Sequence, residues 1–361
     1  MTDYAAGYIG TYTEGAGGKA RGVYSFVMNT ATGVIEDFRL AAESVNPSWL
    51  VLSPGGKFLY AANETASFEG RSGSGGISAF AAGEDGGLVF LNSRRSGGRH
   101  PCHLAVNREG DYLVAANYSS GVISVFPLDE RGFVGGCVQT IRLAGNGPVP
   151  ERQEKAHAHS FMFDKDYRYG FACDLGSDKI MAYRFERGAS SPLVPASSPF
   201  FGTTPGAGPR HGVFFPSGTF AYYLNELSST VDVLRYDLDG RFKKIQGVSA
   251  LPPKKKGKNI PSIAAAVRIG CDGRFLYASN RGHDSISLFK IKKSGVLEFV
   301  EASPSGGRHP RDFIMDPEGG FLIALNKDSD NIVIFRINHS TGRLKKLREY
   351  PALSPVSIIF R

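Results

Sequence analysis

A pattern of strand-like runs recurs six times along the chain, and it constrains the fold more than any other feature of the sequence. In each copy an apolar run ends at an asparagine or aspartate, and a second run rich in β-branched residues follows it. The apolar runs end at Asn63, Asn117, Asp174, Asn225, Asn280 and Asn326, at intervals of 54, 57, 51, 55 and 46 residues. Each of these runs is the second strand of its unit. No long stretch shows helical periodicity, so the repeat predicts an all-β chain.

Each repeat holds enough sequence for four short strands, and repeated four-stranded units of about 50 residues are typical of a β-propeller. Six units are complete. The N-terminal segment supplies Tyr8–Gly10 and Val23–Phe26 but no first strand, whereas the tail Pro355–Phe360 reads as a first strand without partners. We therefore expect a seven-bladed β-propeller whose last blade is closed by the C-terminal strand pairing with N-terminal strands. Two domains would divide the repeat, so residues 1–361 are predicted to form a single domain.

The cysteines and the hydropathy pattern exclude several classes of protein. The four cysteines form no Cys-x-x-Cys pair and fit no zinc spacing, so we expect free thiols, a reducing compartment and a cytoplasmic location. The N-terminal residues show no basic and apolar leader, and no run approaches the roughly 18 apolar residues of a membrane span. We expect no membrane association.

The formal net charge of +8 favours anionic partners. No basic stretch is interleaved with aromatic residues, so nucleic acid is not expected as a partner. The basic connection at 252–260 is interpreted as a solvated loop, with a phosphate-attracting rim as the alternative. The sequence does not identify a protein partner.

Residues 209–233 contain the most distinctive pair of charged residues. Two apolar runs flank a turn signal at Pro216–Gly218, which predicts an antiparallel hairpin. If the hairpin is symmetric about Gly218, Arg210 and Glu226 lie opposite each other, with Cβ atoms roughly 4.5–5.5 Å apart. Of the six repeats, only this one places arginine and glutamate at these two positions.

Aligning the repeats predicts which side chains meet at the mouth of the central channel. In a propeller the start of each first strand and the end of each second strand lie on one face near the axis. Two equivalent positions recur at the start of the first strands. The first is occupied by Ser48, Cys102, His159, Arg210, Ala265 and Arg311, and the second by Trp49, His103, Ser160, His211, Ala266 and Asp312. The mouth is predicted to collect the basic residues His157, His159, Arg210, His211, Arg281, Arg308, His309 and Arg311, with Glu64, Glu226 and Asp312 as acids.

This composition suits proton transfer on an anionic substrate. Histidine titrates near neutral pH, and arginine binds carboxylate or phosphate with two parallel hydrogen bonds. The arginines repel cations, so no metal and no other cofactor is expected. No Gly-x-Ser-x-Gly motif or arranged cysteine is present, which argues against a covalent intermediate.

At these residues the sequence resembles the seven-bladed β-propeller lactonases. This family includes bacterial 6-phosphogluconolactonases of the propeller type and the fungal 3-carboxy-cis,cis-muconate lactonizing enzyme, also called carboxymuconate cyclase. The resemblance covers essentially the whole chain and is carried by His157–Ser160 with Cys173–Ile180, Gly208–His211 with Leu224–Val231, Tyr277–Ile286, and Pro310–Phe313 with Asn326–Ile332.

The resemblance implies catalytic roles for His157 or His159, Arg210, Glu226 and Arg281. We assign His159, Arg210, Glu226 and Arg281 to catalysis, and His103, His157, His211 and Arg311 to substrate binding. The chain departs from the family in two places. Alanines stand at 156 and 158, where prolines are frequent, and Ala266 stands where the family tends to carry an acid.

The leading functional hypothesis is therefore hydrolysis of an anionic lactone, with 6-phosphogluconolactone as the first substrate, by metal-independent acid–base catalysis. Glu226 or a histidine would activate water. The cyclase direction uses the same groups and stays open at this point. A second hypothesis, suggested by Ala266, is a catalytically silent propeller that binds an anionic metabolite or a protein. A metal-dependent sugar lactonase is the third.

Overall fold

The computed structural model describes residues 4–15, 17–237, 239–253 and 260–361. Its strands form seven four-stranded antiparallel sheets and one two-stranded ribbon, and the described residues contain no α-helix, only a 3-10 turn at Lys327–Ser329. The predicted all-β, seven-bladed propeller is confirmed. Residues 254–259 of the basic connection, including its four lysines, lie outside the described residues.

In most of the sheets, neighbouring strands are also consecutive along the chain. The N-terminal third contains β1 (Tyr4–Thr11), β2 (Gly22–Asn29), β3 (Ile35–Glu43), β4 (Pro47–Leu52), β5 (Phe58–Asn63), β6 (Ser67–Phe68), β7 (Arg71–Ser72), β8 (Gly76–Ala82), β9 (Leu88–Arg95) and β10 (Pro101–Val106). The middle contains β11 (Tyr112–Asn117), β12 (Val122–Pro127), β13 (Gln139–Arg142), β14 (Ala158–Phe163), β15 (Tyr169–Asp174), β16 (Lys179–Phe185), β17 (Leu193–Gly202), β18 (Pro209–Phe214), β19 (Phe220–Asn225) and β20 (Thr230–Tyr236). The remainder contains β21 (Phe242–Ser249), β22 (Ile263–Ile269), β23 (Phe275–Arg281), β24 (Ser285–Ile291), β25 (Leu297–Pro304), β26 (Pro310–Met315), β27 (Phe321–Asn326), β28 (Asn331–Ile337), β29 (Leu344–Pro351) and β30 (Pro355–Phe360).

The seven first strands surround a central channel. Strands β4, β10, β14, β18, β22, β26 and β30 each contact the next, and β30 contacts β4, so the ring is closed. The seventh sheet has the order β3-β2-β1-β30, in which the C-terminal strand pairs with β1 through Tyr8 and Ile359, and Ile9 and Ile358. The expected closure through the two chain ends is confirmed. It gives β1 a hydrogen-bonded neighbour on the side that faces the channel.

The core is divided among the interfaces between blades. Seven clusters of buried side chains are present, and each cluster draws on two neighbouring blades. Ile9 and Phe26 of the seventh blade, for example, pack with Ile323 and Ile334 of the sixth. Burying such a side chain is worth roughly 1.5–3 kcal/mol. The packing therefore fixes each blade against both neighbours, and the channel-facing ends of the first strands are held in place.

A β-bulge occurs at the start of every first strand. In β18, Pro209 pairs with Asn225 and His211 pairs with Leu224, so Arg210 is an extra residue in the ladder. A bulge redirects the side chain of the extra residue. The expected symmetric register, with Arg210 opposite Glu226, is therefore wrong. Phe214 pairs with Ala221, so the hairpin is centred between Ser217 and Gly218, and the bulge then leaves Arg210 without a partner in the ladder.

The described part of the chain holds no helix long and apolar enough to cross a bilayer.

Candidate active site

The buried carboxylate of Glu226 is the centre of the polar cluster at the channel mouth. Glu226 directly follows β19, and its backbone N–H donates to the carbonyl oxygen of Gly208 at 2.7 Å. Its Oε2 atom accepts from Nε of Arg210 at 2.7 Å and lies 2.9 Å from Nη2 of Arg281. Its Oε1 atom accepts from Nη2 of Arg152 at 2.5 Å. The bulge thus brings Arg210 to Glu226 even though the two residues are not paired in the sheet.

Backbone carbonyl groups of the β22 blade orient two of these arginines. Nη1 of Arg210 donates to the carbonyl oxygen of Ala265, and Nη2 of Arg281 donates to that of Ala264 at 2.8 Å. Nε of Arg281 is buried and has no hydrogen-bond partner among the described residues. An unsatisfied buried donor costs roughly 1–3 kcal/mol, so such an atom calls for a specific explanation.

Arg152 was not identified from the sequence. It lies in the irregular connection between β13 and β14, which the alignment of strand ends does not cover. Its side chain is 35% exposed, whereas those of Arg210, Arg281 and Glu226 are 3–6% exposed. Buried Gln153 anchors the connection, because its Nε2 donates to the carbonyl oxygen of Leu175 at 2.8 Å. No sequence signal marks Arg152, since only the folded connection brings it to Glu226.

His159 lies beside the carboxylate. Its Nε2 atom is 3.7 Å from Oε2 of Glu226, and its Nδ1 atom is 3.8 Å from Sγ of Cys102. Burial and the positive charge of Arg210 lower the pKa of His159 well below its usual 6.5, so the imidazole is neutral at pH 7. Burial raises the pKa of the Cys102 thiol, which stays protonated.

The arginines determine the charge state of Glu226. Burial raises its pKa, but the attraction of Arg281 and Arg210 outweighs burial and holds the pKa well below 4.5. Burial lowers the pKa of Arg281 to about 10, which leaves the guanidinium charged at pH 7. Glu226 is therefore an ionised carboxylate that holds Arg152, Arg210 and Arg281 in position. Its low pKa makes it a weak base.

A second ion pair adjoins this cluster. Nη2 of Arg311 lies 3.4 Å from Oε2 of Glu64, which also accepts from the hydroxyl of Tyr12 at 2.8 Å. Together the two groups contain four arginines (152, 210, 281 and 311) and two glutamates (64 and 226). Four positive and two negative formal charges leave a net charge of +2, which attracts anions.

The other predicted residues of the mouth do not all reach Glu226. His157 stacks on Tyr118 with ring centroids 4.5 Å apart, and its Nε2 lies 3.0 Å from Oε2 of Glu154. His309 lies 3.3 Å from a carboxylate oxygen of Asp328. Of the two candidate catalytic histidines, His159 is the one adjacent to the carboxylate.

His103 and His211 lie one layer further along the channel. The Trp49 ring stacks on His103 at 4.2 Å and meets the edge of His211 at 5.1 Å. These three rings line a cavity of about 340 Å³, together with Arg268 and Asp312. Ala266, where the family tends to carry an acid, also lies in this wall.

No group of three or more histidine, cysteine, aspartate or glutamate residues that could hold a metal ion occurs within the described ranges.

The closed ring of seven blades, with a buried arginine–glutamate–histidine cluster at one end of its channel, places the chain among propellers with a polar site on the central axis. The chain belongs to the seven-bladed β-propeller lactonase family: the family model "Lactonase, 7-bladed beta-propeller" matches residues 6–360. The resemblance seen in the sequence is thereby confirmed.

Named relatives cover almost the whole chain. A 6-phosphogluconolactonase of Bacillus subtilis is 39% identical over 350 residues, which are 96% of this chain and 95% of the relative. A 6-phosphogluconolactonase of Formosa agariphila is 36% identical and covers 94% of both chains. Among solved structures, the periplasmic gluconolactonase PpgL of Pseudomonas aeruginosa superimposes with a TM-score of 0.91, at 32% identity and 99% coverage of each chain.

Proposed function

We propose that this protein hydrolyses an anionic sugar lactone, with 6-phosphogluconolactone as substrate and 6-phosphogluconate as product. The observation that carries the proposal is the net charge of +2 around a neutral His159, which lies 3.7 Å from Glu226. The charge suits a phosphorylated substrate, and the neutral imidazole suits proton abstraction. Two relatives that match nearly the full chain are named as 6-phosphogluconolactonases.

His159 is the proposed general base. It removes a proton from a water molecule whose oxygen attacks the lactone carbonyl carbon. The resulting imidazolium is stabilised by the neighbouring carboxylate of Glu226. The bond between the carbonyl carbon and the ring oxygen then breaks, and the ring oxygen takes the proton from His159 to become a hydroxyl group. Glu226 itself remains ionised throughout.

The arginines are proposed to stabilise the charge that develops on the carbonyl oxygen. Arg281 is the proposed donor to this oxygen, because the bonds of its Nη2 to Ala264 and Glu226 fix the guanidinium beside the carboxylate. A preorganised donor of this kind typically contributes roughly 10²–10³-fold to kcat. Arg210 is held between Glu226 and Ala265, and is proposed to keep the carboxylate in position beside His159.

The direct test is hydrolysis of 6-phosphogluconolactone, measured by proton release above the spontaneous rate. We expect acceleration that survives exhaustive chelation of metals. Activity lost on chelation and restored by a divalent cation would favour a metal-dependent lactonase. Turnover of 3-carboxy-cis,cis-muconate with no lactone hydrolysis would instead favour the cyclase.

Arg152 is predicted to bind the phosphate group, because it is the most exposed of the three arginines on Glu226. Arg152→Gln is expected to raise KM for 6-phosphogluconolactone by roughly 10–100-fold, the value of a charged hydrogen bond. The KM for unphosphorylated gluconolactone should change little. Arg131→Gln, which alters a 74% exposed arginine elsewhere, is the matched control. An equal rise in KM for both substrates would exclude a role in phosphate recognition.

The pH profile tests the assignment of His159. The lowered pKa of the histidine means that its basic form persists below pH 6.5. For gluconolactone, which has no ionisable group in this range, kcat is expected to stay constant from pH 8 through pH 6.5 and to fall only at lower pH. His159→Gln should lower kcat by roughly 10²–10⁴-fold. An inflection at the ordinary histidine pKa would contradict a buried neutral base.

A cytoplasmic location is also proposed. All four cysteines are unpaired, and Cys137 and Cys271 are exposed, which is typical of a reducing compartment. The P. aeruginosa relative is a periplasmic gluconolactonase, so cell fractionation is the appropriate test.

A further inference from the structure

We propose that the cavity lined by Trp49, His103, His211 and Arg268, the channel chamber, is a second binding site that takes an unphosphorylated sugar acid or sugar lactone. Its lining includes none of the groups that surround Glu226: Arg152, Arg210, Arg281 and His159 are all absent from it. The His211 ring lies between the two sites, since Nη1 of Arg210 is 3.2 Å from both nitrogens of that ring. Two residues predicted to bind substrate, His103 and His211, therefore belong to a different site from the catalytic cluster.

The channel chamber is large enough for a sugar-sized ligand. Its volume is about 340 Å³, and an adjoining cavity of about 290 Å³ shares Trp49, His103, Met162, Arg268 and Ile314 with it. Sites for small molecules begin at roughly 300 Å³. A single hexose-derived ring fits this space.

His103 provides one hydrogen-bond donor with a defined tautomer. Burial, with the nearby charges of Arg210 and Arg268, lowers the pKa of His103 to about 3, so the ring is neutral. Its Nδ1 atom accepts from the backbone N–H of Phe161 at 3.4 Å, which places the ring proton on Nε2. No described residue accepts a hydrogen bond from Nε2, and this N–H is available to a ligand oxygen.

Arg268 provides a second, fixed donor. Its Nη2 atom donates to both carboxylate oxygens of Asp312, at 3.0 and 3.2 Å, and its Nε donates to the carbonyl oxygen of Phe313. Asp312 is itself held by the backbone N–H groups of Phe313 and Ile358. These bonds orient the guanidinium and leave Nη1 without a partner in the described part of the chain.

Apart from Ser160 and Cys271, most of the remaining wall is apolar, and this limits the class of ligand. The indole N–H of Trp49 is used by the carbonyl oxygen of Leu104 at 3.1 Å, so the indole offers only its ring. Met162 and Met315 add thioether surface. A sugar acid or sugar lactone, whether open-chain or cyclic, has C–H bonds that pack against an aromatic face and oxygens that accept hydrogen bonds. The Arg268–Asp312 pair is neutral overall, which suits a neutral lactone or a monoanion and disfavours a phosphate dianion.

The sole tryptophan of the chain reports on this site directly, because Trp49 lines it. Sodium gluconate, gluconolactone and inorganic phosphate are titrated separately into the full-length protein while tryptophan emission is recorded, and calorimetry is run in parallel. We expect a saturable change with gluconate and a much weaker one with phosphate. His103→Phe keeps the stacked ring but removes the donor, and should raise the Kd for gluconate roughly two- to tenfold. Arg268→Lys keeps the charge but loses the planar guanidinium, and should raise the Kd for gluconate at least as much.

Arg281→Lys is the control for independence from the catalytic cluster, because Arg281 is proposed to hold the carbonyl oxygen of any lactone bound beside Glu226. It should leave the gluconate response unchanged while impairing turnover of both lactones. Circular dichroism verifies that each variant is folded. The proposal is overturned if gluconate produces neither an emission change nor heat, if phosphate binds as tightly as gluconate, or if Arg281→Lys abolishes the response. If the wild-type protein shows no lactonase activity but still responds to gluconate, the proposed function is rejected and the proposal of a binding site in the channel chamber stands.

Discussion

Glu226→Gln is expected to lower kcat by roughly 10²–10⁴-fold and to destabilise the protein at the same time. The carboxylate is almost completely buried and lies against Arg152, Arg210 and Arg281. Removing one partner of a buried ion pair costs about 3–5 kcal/mol, because the remaining charges lose their compensation. Lactone hydrolysis and chemical denaturation, measured on the same preparations, give the two quantities.

Glu64→Gln is the matched control for this prediction. Glu64 also pairs with an arginine, Arg311, but its side chain is 18% exposed and the pair distance is 3.4 Å. Its loss should cost less stability, and Glu226 would still stabilise the His159 imidazolium. If Glu226→Gln retains full turnover and an unchanged free energy of unfolding, the cluster is not catalytic, and a propeller that only binds its ligand becomes the better hypothesis.

Deleting residues 355–361 is expected to prevent stable folding. The deletion removes β30, the inner strand of the seventh blade, and with it the buried side chains of Val356 and Ile358. Each is worth roughly 1.5–3 kcal/mol, and β1 would be left with an unpaired edge. The loss is comparable with a typical total stability of about 5–15 kcal/mol. Soluble yield and the thermal unfolding midpoint measure the effect.

Removal of Arg361 alone separates strand loss from a general effect of shortening the chain. Arg361 follows β30, is exposed, and donates to backbone oxygens of Ala6, Ala82 and Gly83. We expect this variant to fold with a small decrease in stability. A 355–361 deletion that melts at the wild-type temperature would show that pairing of the chain ends does not stabilise the ring.

The architecture was predictable from the sequence because the signals are local and repeated. Each second strand ends at a turn-forming asparagine or aspartate, and six such positions establish the number of complete blades. The unpartnered tail at Pro355–Phe360 then required a seventh, because a first strand without neighbours has no stable alternative in this fold. The residues that gather at the channel mouth follow from the same alignment.

Details that depend on register or burial were not predictable. The hairpin symmetry argument misplaced Arg210 because no residue type marks the bulge in β18. The alignment of strand ends also gives no measure of burial, and Glu226 proves to be only 2% exposed. Arg152 reaches the site through a connection of irregular conformation, and its position depends on contacts such as that of Gln153 with Leu175. Neither the bulge in β18 nor the contact of Gln153 with Leu175 leaves a periodic signal in the sequence.

The bulge at the start of each first strand also has a consequence for engineering. One backbone position recurs seven times around the axis, and it is occupied by Ser48, Cys102, His159, Arg210, Ala265, Arg311 and Val356. Because the core lies in the interfaces between blades, an exchange of a side chain at the channel-facing positions leaves most of that core unchanged. The ring thus offers one variable position per blade on a constant scaffold, and randomising Ser48 and Ala265 alone is a route to selecting new ligand preferences.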